Sequence, residues 1–355
     1  MLQKYASFVV NNAAQVNSIE NGLRTLTYIL PGRFADAELA SEAIYTLLSF
    51  VGVYHDSLLA KAASSGLLVD KQGQPLKIDA TPFSRYHGQL AHTSDLYRMA
   101  TRALSALQFS EKLLEMLVAK KLGDTRRWKV VTWIEITKVV LRLVLVQRSG
   151  RRMVTGSVAP ERLVDPSALG SRRADATGAG WKGGRSRLSF AGVRDILHET
   201  EGMADLGTYI AQASRDAESV APAQSLLRRL GALGLAGELL FILRPLVLVL
   251  GIRKLGARSW RPWAMSLFVE LASRQMLRTE LNTGERTLER GEMDRRKWLF
   301  LYYLLRPPFF GRFTEARLTR VAEWCNNKPL LSLLGSLIQD YQPLWQQYYF
   351  YTAGS

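Results

Sequence analysis

Cysteine is nearly missing: Cys325 is the single one in 355 residues, which excludes an internal disulfide framework and agrees with a reducing compartment. Histidine is scarce too. His55, His87, His92 and His198 form a poor ligand inventory, and His87 and His92 stand five apart, off a common helical face, so no metal site is expected. There is no G-x-x-x-x-G-K-[ST] phosphate loop and no G-x-S-x-G elbow, and Cys325 has no histidine close in sequence. Glu199 and Glu201 resemble an acid and base pair, yet paired surface carboxylates are far more often solvated charges. Neither an enzyme activity nor a cofactor is expected.

Negative charge is in short supply. Against 47 basic residues there are 31 acidic ones, a formal charge of +16, which favours an anionic surface such as phosphate-bearing lipid or nucleic acid. The nucleic-acid reading is disfavoured by pattern. Arginines are dispersed or gathered in one linker, and many aromatics sit inside apolar runs where core packing explains them, so no nucleic-acid partner is expected. The apolar patch Phe8 to Val10 is too brief for a signal-peptide core, and the final residues, Tyr351 to Ser355, do not form a Ser-Lys-Leu address.

What is present is helical periodicity. It runs from about residue 15 to 62, through Leu23, Leu26, Ile29 and Leu30, breaks at Pro31-Gly32, and resumes at Ile44, Leu47, Leu48 and Val51. Asp36 is a plausible N-cap for the second of these helices. After a Gly- and Pro-bearing stretch from Ser64 to Ser84, helical pattern returns from Tyr86 to Leu122 and from Trp128 to Arg148. Strand alternation is scarce, so the expected fold is all-α: a multi-helix, membrane-associated protein. Residues 149–190, rich in Gly, Ser, Ala and Arg, read as a basic, mobile linker between an N-terminal helical unit, 1–148, and a C-terminal one, 191–355. A solvated loop is the plainer reading of that linker, and a lipid-headgroup contact the sharper one.

No uninterrupted apolar stretch reaches the roughly 18 residues of a clear transmembrane helix. Two segments come close. The helix from Lys129 to Arg148 carries Glu135, Lys138 and Arg142 on one face and Trp133, Ile136, Val140 and Leu143 on the other. Three charges at roughly 3 kcal/mol each cost about 9 kcal/mol on insertion, against about 5 kcal/mol recovered from its aliphatic residues. Alone it should not insert. Pairing of Glu135 with Lys138 against another helix, an interfacial placement, and a soluble bundle with a solvated stripe all remain open. The second segment, Leu230 to Leu255, is interrupted by Glu238 and by Arg244-Pro245, where a kink or a new helix is expected, and it suits an amphipathic or hairpin membrane association as well as a full span.

The C-terminal third holds the most distinctive run, RRKWLFLYYLLRPPFFGRFTEARL from Arg295. Tyr302, Tyr303, Leu304, Leu305, Arg306, Pro308, Phe309, Arg312, Phe313, Glu315, Ala316 and Arg317 make up the pattern YYLLR-x-PF, a short gap, RF and E-A-R. Before that run stand Gly32, Arg33, Phe34, Ala35 and Asp36; Arg244-Pro245; and Arg258, Ser259, Trp260, Pro262 and Trp263; after it comes the aromatic ending with Tyr341, Pro343, Trp345, Tyr348, Phe350 and Tyr351. In this collinear set the chain resembles the peroxin sixteen family. The resemblance implies a protein of the peroxisomal membrane, reaching it in some organisms through the endoplasmic reticulum. It also implies recruitment of peroxin three and so docking of peroxin nineteen with its membrane-protein cargo. In some fungal relatives the role is instead that of a peripheral regulator of peroxisome division.

The residues singled out as partner or membrane contacts are Arg33, Phe34, Glu135, Lys138, Arg142, Arg244, Trp260, Trp263, Tyr302, Tyr303, Arg306, Phe309, Arg312, Phe313, Trp345 and Tyr348. For the helix before Pro307-Pro308, core packing of Trp298, Tyr302 and Leu305 is favoured over a membrane interface. The uncharged tail from Tyr341 suits packing and membrane contact equally. A lipid-handling protein, with an apolar cavity near Trp133 and Leu246, is a third possibility.

Overall fold

The computed structural model describes residues 2–31, 36–64, 81–155, 164–166, 169, 227–281, 287–328 and 331–346. These residues build an all-α structure. The first six helices are α1 (Leu2–Asn11), α2 (Ala13–Ile29), α3 (Ala37–Ser64), α4 (Pro82–Thr93), α5 (Asp95–Leu122) and α6 (Asp124–Arg148). The later ones are α7 (Ala232–Leu255), α8 (Trp260–Leu281) and α9 (Thr287–Leu299), then a 3-10 turn (Phe300–Leu305), a π turn (Phe310–Thr314), α10 (Glu315–Asn326) and α11 (Ser332–Leu344).

Local chemistry sets the boundaries. The expected single helix from Tyr86 to Leu122 is two helices, because Ser94 is extended and its hydroxyl accepts a hydrogen bond from the Tyr97 amide at 3.3 Å. Ser before Asp95 is an N-cap signature, and that cap starts α5 afresh. Thr81 does the same for α4, with Pro82 in the first turn. Gly123 closes α5 at φ +80°, a backbone region that favours glycine, and returns the chain into α6. At the other expected interruption the outcome differs. The helix runs on through Arg244-Pro245, both of them buried, as α7 packs along α8.

The core is formed where α6 meets α7. Val131 packs with Leu248, Val249 and Ile252, while Val139 and Val146 pack with Ile242. That register makes the two helices antiparallel. Each fully buried aliphatic residue in such an interface contributes about 1.5–3 kcal/mol. A further cluster joins Tyr86, Leu90, Tyr97, Ala100 and Leu104 to Leu145 and Leu227. The chain does not leave the core at Arg148: Met153 and Thr155 are buried, and Met153 packs with Leu230, Leu277, Leu281 and Met293. Most of the segment read as a basic linker lies outside the described residues.

Among the described helices, α3 over 37–63 and α7 over 232–255 are long and apolar enough to cross a membrane. The α7 segment is the one expected from sequence. For α3 the polar residues Ser41, Thr46, Ser49 and His55 disguise a run, 43–55, that carries no Asp, Glu, Lys or Arg. α6 does not pass, since its three charges lie inside the stretch.

Candidate functional site

A charge centre is buried between α7, α8 and α9. Glu238 on α7 is fully buried, and a carboxylate there requires a partner to offset its desolvation. Arg296 on α9 provides it, donating to the two Glu238 oxygens at 2.8 and 2.9 Å, to Glu292 at 2.8 Å and to the Val154 carbonyl at 3.0 Å. Its guanidinium lies 3.7 Å from the centroid of the Phe241 ring. Farther along α7, Arg244 is bonded to Glu270 of α8, which also accepts from Arg274 at 2.7 Å. Arg244 sits over the same ring, 4.7 Å from its centroid. Burial works to raise the pKa of Glu292, but Arg296 and Arg295 outweigh it and hold the carboxyl below the usual carboxylate range.

A second centre joins α5 and α6. Lys138 bonds Glu135 at 2.6 Å and Glu111 of α5 at 2.9 Å. Of the placements left open for this stripe, the paired one is observed: Glu135 and Lys138 face a neighbouring helix, and Trp133, 68% exposed, is on the outer face. Arg142 is half-buried.

The aromatic residues of the C-terminal run form a connected ladder. Trp263 meets Trp260 edge-on at 5.5 Å, Tyr303 at 6.2 Å and Phe309 in a stack at 6.0 Å, and Phe309 touches Phe313 at 4.9 Å. The Trp263 indole donates to the Tyr303 carbonyl at 3.0 Å, and the Trp345 indole to the Leu305 carbonyl at 2.6 Å. These indoles satisfy carbonyls in the last residues of the 3-10 turn. Tyr303 is buried, and its hydroxyl donates to the Ser266 carbonyl at 2.9 Å. Arg306 is buried over the Tyr303 ring, 4.5 Å from the centroid. Tyr302 stacks on Trp345 at 6.3 Å.

One histidine holds α4, α5 and the segment after α6 together. Tyr97 Oη lies 2.6 Å from His87 Nδ1 and Thr155 Oγ1 lies 2.7 Å from His87 Nε2. Burial pushes the His87 imidazole down to about 4 from its ordinary 6.5. Between those values the unfolded chain binds the proton and the folded one does not, so stability falls as pH drops through that window, by up to about 3 kcal/mol. Urea unfolding in detergent at pH 7 and pH 5 is expected to show this loss, and His87→Gln is expected to flatten it. An equal pH dependence in both chains would contradict the assignment.

Large apolar side chains are exposed on several helices, among them Trp133 on α6, Phe268 on α8 and Trp298 on α9. On α10, Arg317, Arg320, Val321 and Trp324 share one exposed face next to exposed Arg312 and Phe313. Of the contacts expected from sequence, Trp260, Arg312 and Phe313 are exposed, Trp263, Tyr302, Phe309 and Trp345 are half-buried, and Glu135, Lys138, Arg244, Tyr303 and Arg306 are buried inside the chain. Arg33, Phe34 and Tyr348 lie outside the described residues. Sequence reasoning missed Glu238, Glu270, Arg274, Glu292 and Arg296 as one system. A signal existed: Glu270/Arg274 and Glu292/Arg296 are spaced i, i+4, and a lone Glu238 inside a leucine run calls for a buried partner. Among the described residues no group of three or more His, Cys, Asp or Glu is placed to hold a metal ion.

Charges turned inward in pairs and apolar helix faces turned outward define a helical, membrane-associated protein. The family model described as Peroxisomal membrane protein (Pex16) matches residues 3–347. The chain belongs to that family, and is a peroxisome biogenesis factor of the peroxisomal membrane. It is 26% identical to Peroxisome biogenesis protein 16 of Arabidopsis thaliana, over 100% of both chains. It is 32% identical to Peroxisome biogenesis factor 16 of Dictyostelium discoideum over 34% of this chain and 31% of that one. With Peroxisomal membrane protein PEX16 of Schizosaccharomyces pombe it shares 20% identity over 89% of this chain and 88% of the relative. No solved structure matches the chain.

Proposed function

We propose that the protein works without chemistry, as a docking factor that recruits peroxin three to the membrane and thereby supports delivery of membrane proteins by peroxin nineteen. The observation that carries this reading is the family match over residues 3–347, which takes in all the described helices but the first residue of α1. The surface we assign to the partner is the exposed face of α10. There Phe313, Val321 and Trp324 offer apolar anchors beside Arg312, Arg317 and Arg320. Aromatic anchors with arginine at the rim suit a partner that presents an apolar patch edged with carboxylates. Binding of soluble peroxin three to the chain in phospholipid nanodiscs tests the assignment. Trp324→Glu with Val321→Glu is expected to weaken binding by about 30-fold or more, the loss of an anchor worth about 2 kcal/mol. Unchanged affinity in a folded double variant would exclude this face. No binding by the unaltered chain would remove the docking reading itself.

A further inference from the structure

We propose that α7 and α8 enter the bilayer together as an antiparallel hairpin, with the outward face of α8 at Ala264, Met265, Phe268 and Leu271 lying against phospholipid acyl chains. α7 qualifies as a span by length and composition. α8 does not, because any stretch of it long enough to span takes in Glu270 and Arg274 together with Arg261 or Arg278. A composition test counts charges without asking where they point. Glu270 is fully buried against α7, bonded to Arg244 and Arg274. Arg274 is half-buried, stacks on Phe300 at 5.1 Å and donates to the Arg296 carbonyl.

The hairpin is therefore electrically closed. From 232 to 252 the charged residues are Glu238 and Arg244, and from 262 to 277 they are Glu270 and Arg274, two of each sign. Each is paired within the fold, and Glu238 is matched from outside the hairpin by Arg296. Paired and inward-facing charges escape most of the cost that an isolated one meets at the centre of a bilayer.

The outer faces match this interior. Phe268 is 73% exposed, with Met265 and Leu271 about as open as Leu250 on α7. On α8 no charged residue is exposed between Arg261 and Arg278. The seventeen steps from Arg261 to Arg278, at about 1.5 Å each, make about 26 Å, near the roughly 30 Å of hydrocarbon. Exposed basic residues stand at both ends: Arg253, Lys254, Arg258 and Arg261 by the α7–α8 turn, Arg229 and Arg278 at the other end. They complement the phosphates of the two headgroup layers. The inner contact is of the close kind found between membrane helices. Ser273 donates to the Gly237 carbonyl at 2.7 Å, and a Cβ on Gly237 would lie 3.0 Å from Met276 Cβ. Insertion of the hairpin is independent of the docking reading.

The test uses the full chain in a Cys325→Ser background, with single cysteines Phe268→Cys, Leu271→Cys, Leu250→Cys and, as an exposed control, Arg320→Cys. Each is labelled with an environment-sensitive nitrobenzoxadiazole dye in vesicles of phosphatidylcholine with phosphatidylinositol. Quenching by acyl-chain nitroxides is then compared with quenching by aqueous iodide. At 268, 271 and 250 acyl-chain quenching is expected, with iodide quenching at least fivefold below that at 320. Iodide access at 268 and 271 with lipid quenching at 250 would overturn the hairpin and leave α7 alone in the bilayer, with the α8 face awaiting a protein. Iodide access at all three would overturn insertion altogether. Photolabelling of the unmodified chain by a diazirine lipid gives a check without substitutions: adducts are expected within 264–271, and their absence beside adducts in α7 would again overturn the proposal.

Discussion

Arg296→Ala is expected to lower stability by about 3–5 kcal/mol, the cost of leaving buried charge without its partner. The guanidinium serves Glu238, Glu292, the Val154 carbonyl and the Phe241 ring at once. Removing it leaves fully buried Glu238 without its charge partner and leaves buried Glu292 with Arg295 still beside it. Arg296→Lys keeps the charge but loses the planar fork and is expected to fall between the two. The double change Arg296→Met with Glu238→Gln removes charge from both sides and is expected to recover part of the loss. Equilibrium unfolding in detergent at neutral pH measures all three, and an Arg296→Ala protein within about 1 kcal/mol of the unaltered one would contradict the account. pH adds a signature. Because Glu292 is held below its unfolded value, its contribution is present above about pH 4.3 and is lost as pH falls through the lowered value.

Tyr303→Ala is the second large effect, expected at about 3–5 kcal/mol for loss of a buried aromatic. Its ring touches Trp263 and Phe300 and carries Arg306, and its hydroxyl ties the 3-10 turn to α8 through Ser266. Tyr303→Phe should cost about 1–2 kcal/mol, leaving the Ser266 carbonyl short of a donor. The neighbouring Tyr302 is the useful contrast. It is half-buried with a stack on Trp345, so Tyr302→Ala should cost only about 1 kcal/mol. Thermal unfolding of the pair separates the readings. Equal losses at 302 and 303 would mean that burial of Tyr303 is not what matters in this run.

Adjacent residues with opposite fates show where sequence reading stops. Periodicity placed the helices because apolar residues recur at the spacing of one helix face, as in Ile44, Leu47, Leu48 and Val51 within α3. The break at Ser94 was visible in principle, since a Ser-Asp pair is a cap, but the apolar pattern runs across it without interruption. The charges were harder. Glu135, Lys138 and Arg142 fall on one face in the sequence, yet whether that face meets water or another helix depends on Glu111, 27 residues from Lys138. Arg296 and Glu238 are separated by 58 residues, and nothing local links them. The collinear aromatic run identified the family, whereas its residues proved to be divided between an internal ladder and the exposed edge at Phe313. A helix whose polar side points inward looks, in one dimension, the same as one whose polar side points out.

We propose that this chain, a peroxisome biogenesis factor by family, serves membrane-protein delivery at the peroxisome. The most direct test is expression in cells deprived of their own family member, with imaging of a fluorescent peroxisomal membrane protein as the readout. The unaltered chain is expected to restore delivery, and the Trp324→Glu, Val321→Glu variant to reach the same membrane without restoring it. A chain that reaches peroxisomes and changes their number while delivery stays absent would contradict the docking account and favour a role in division.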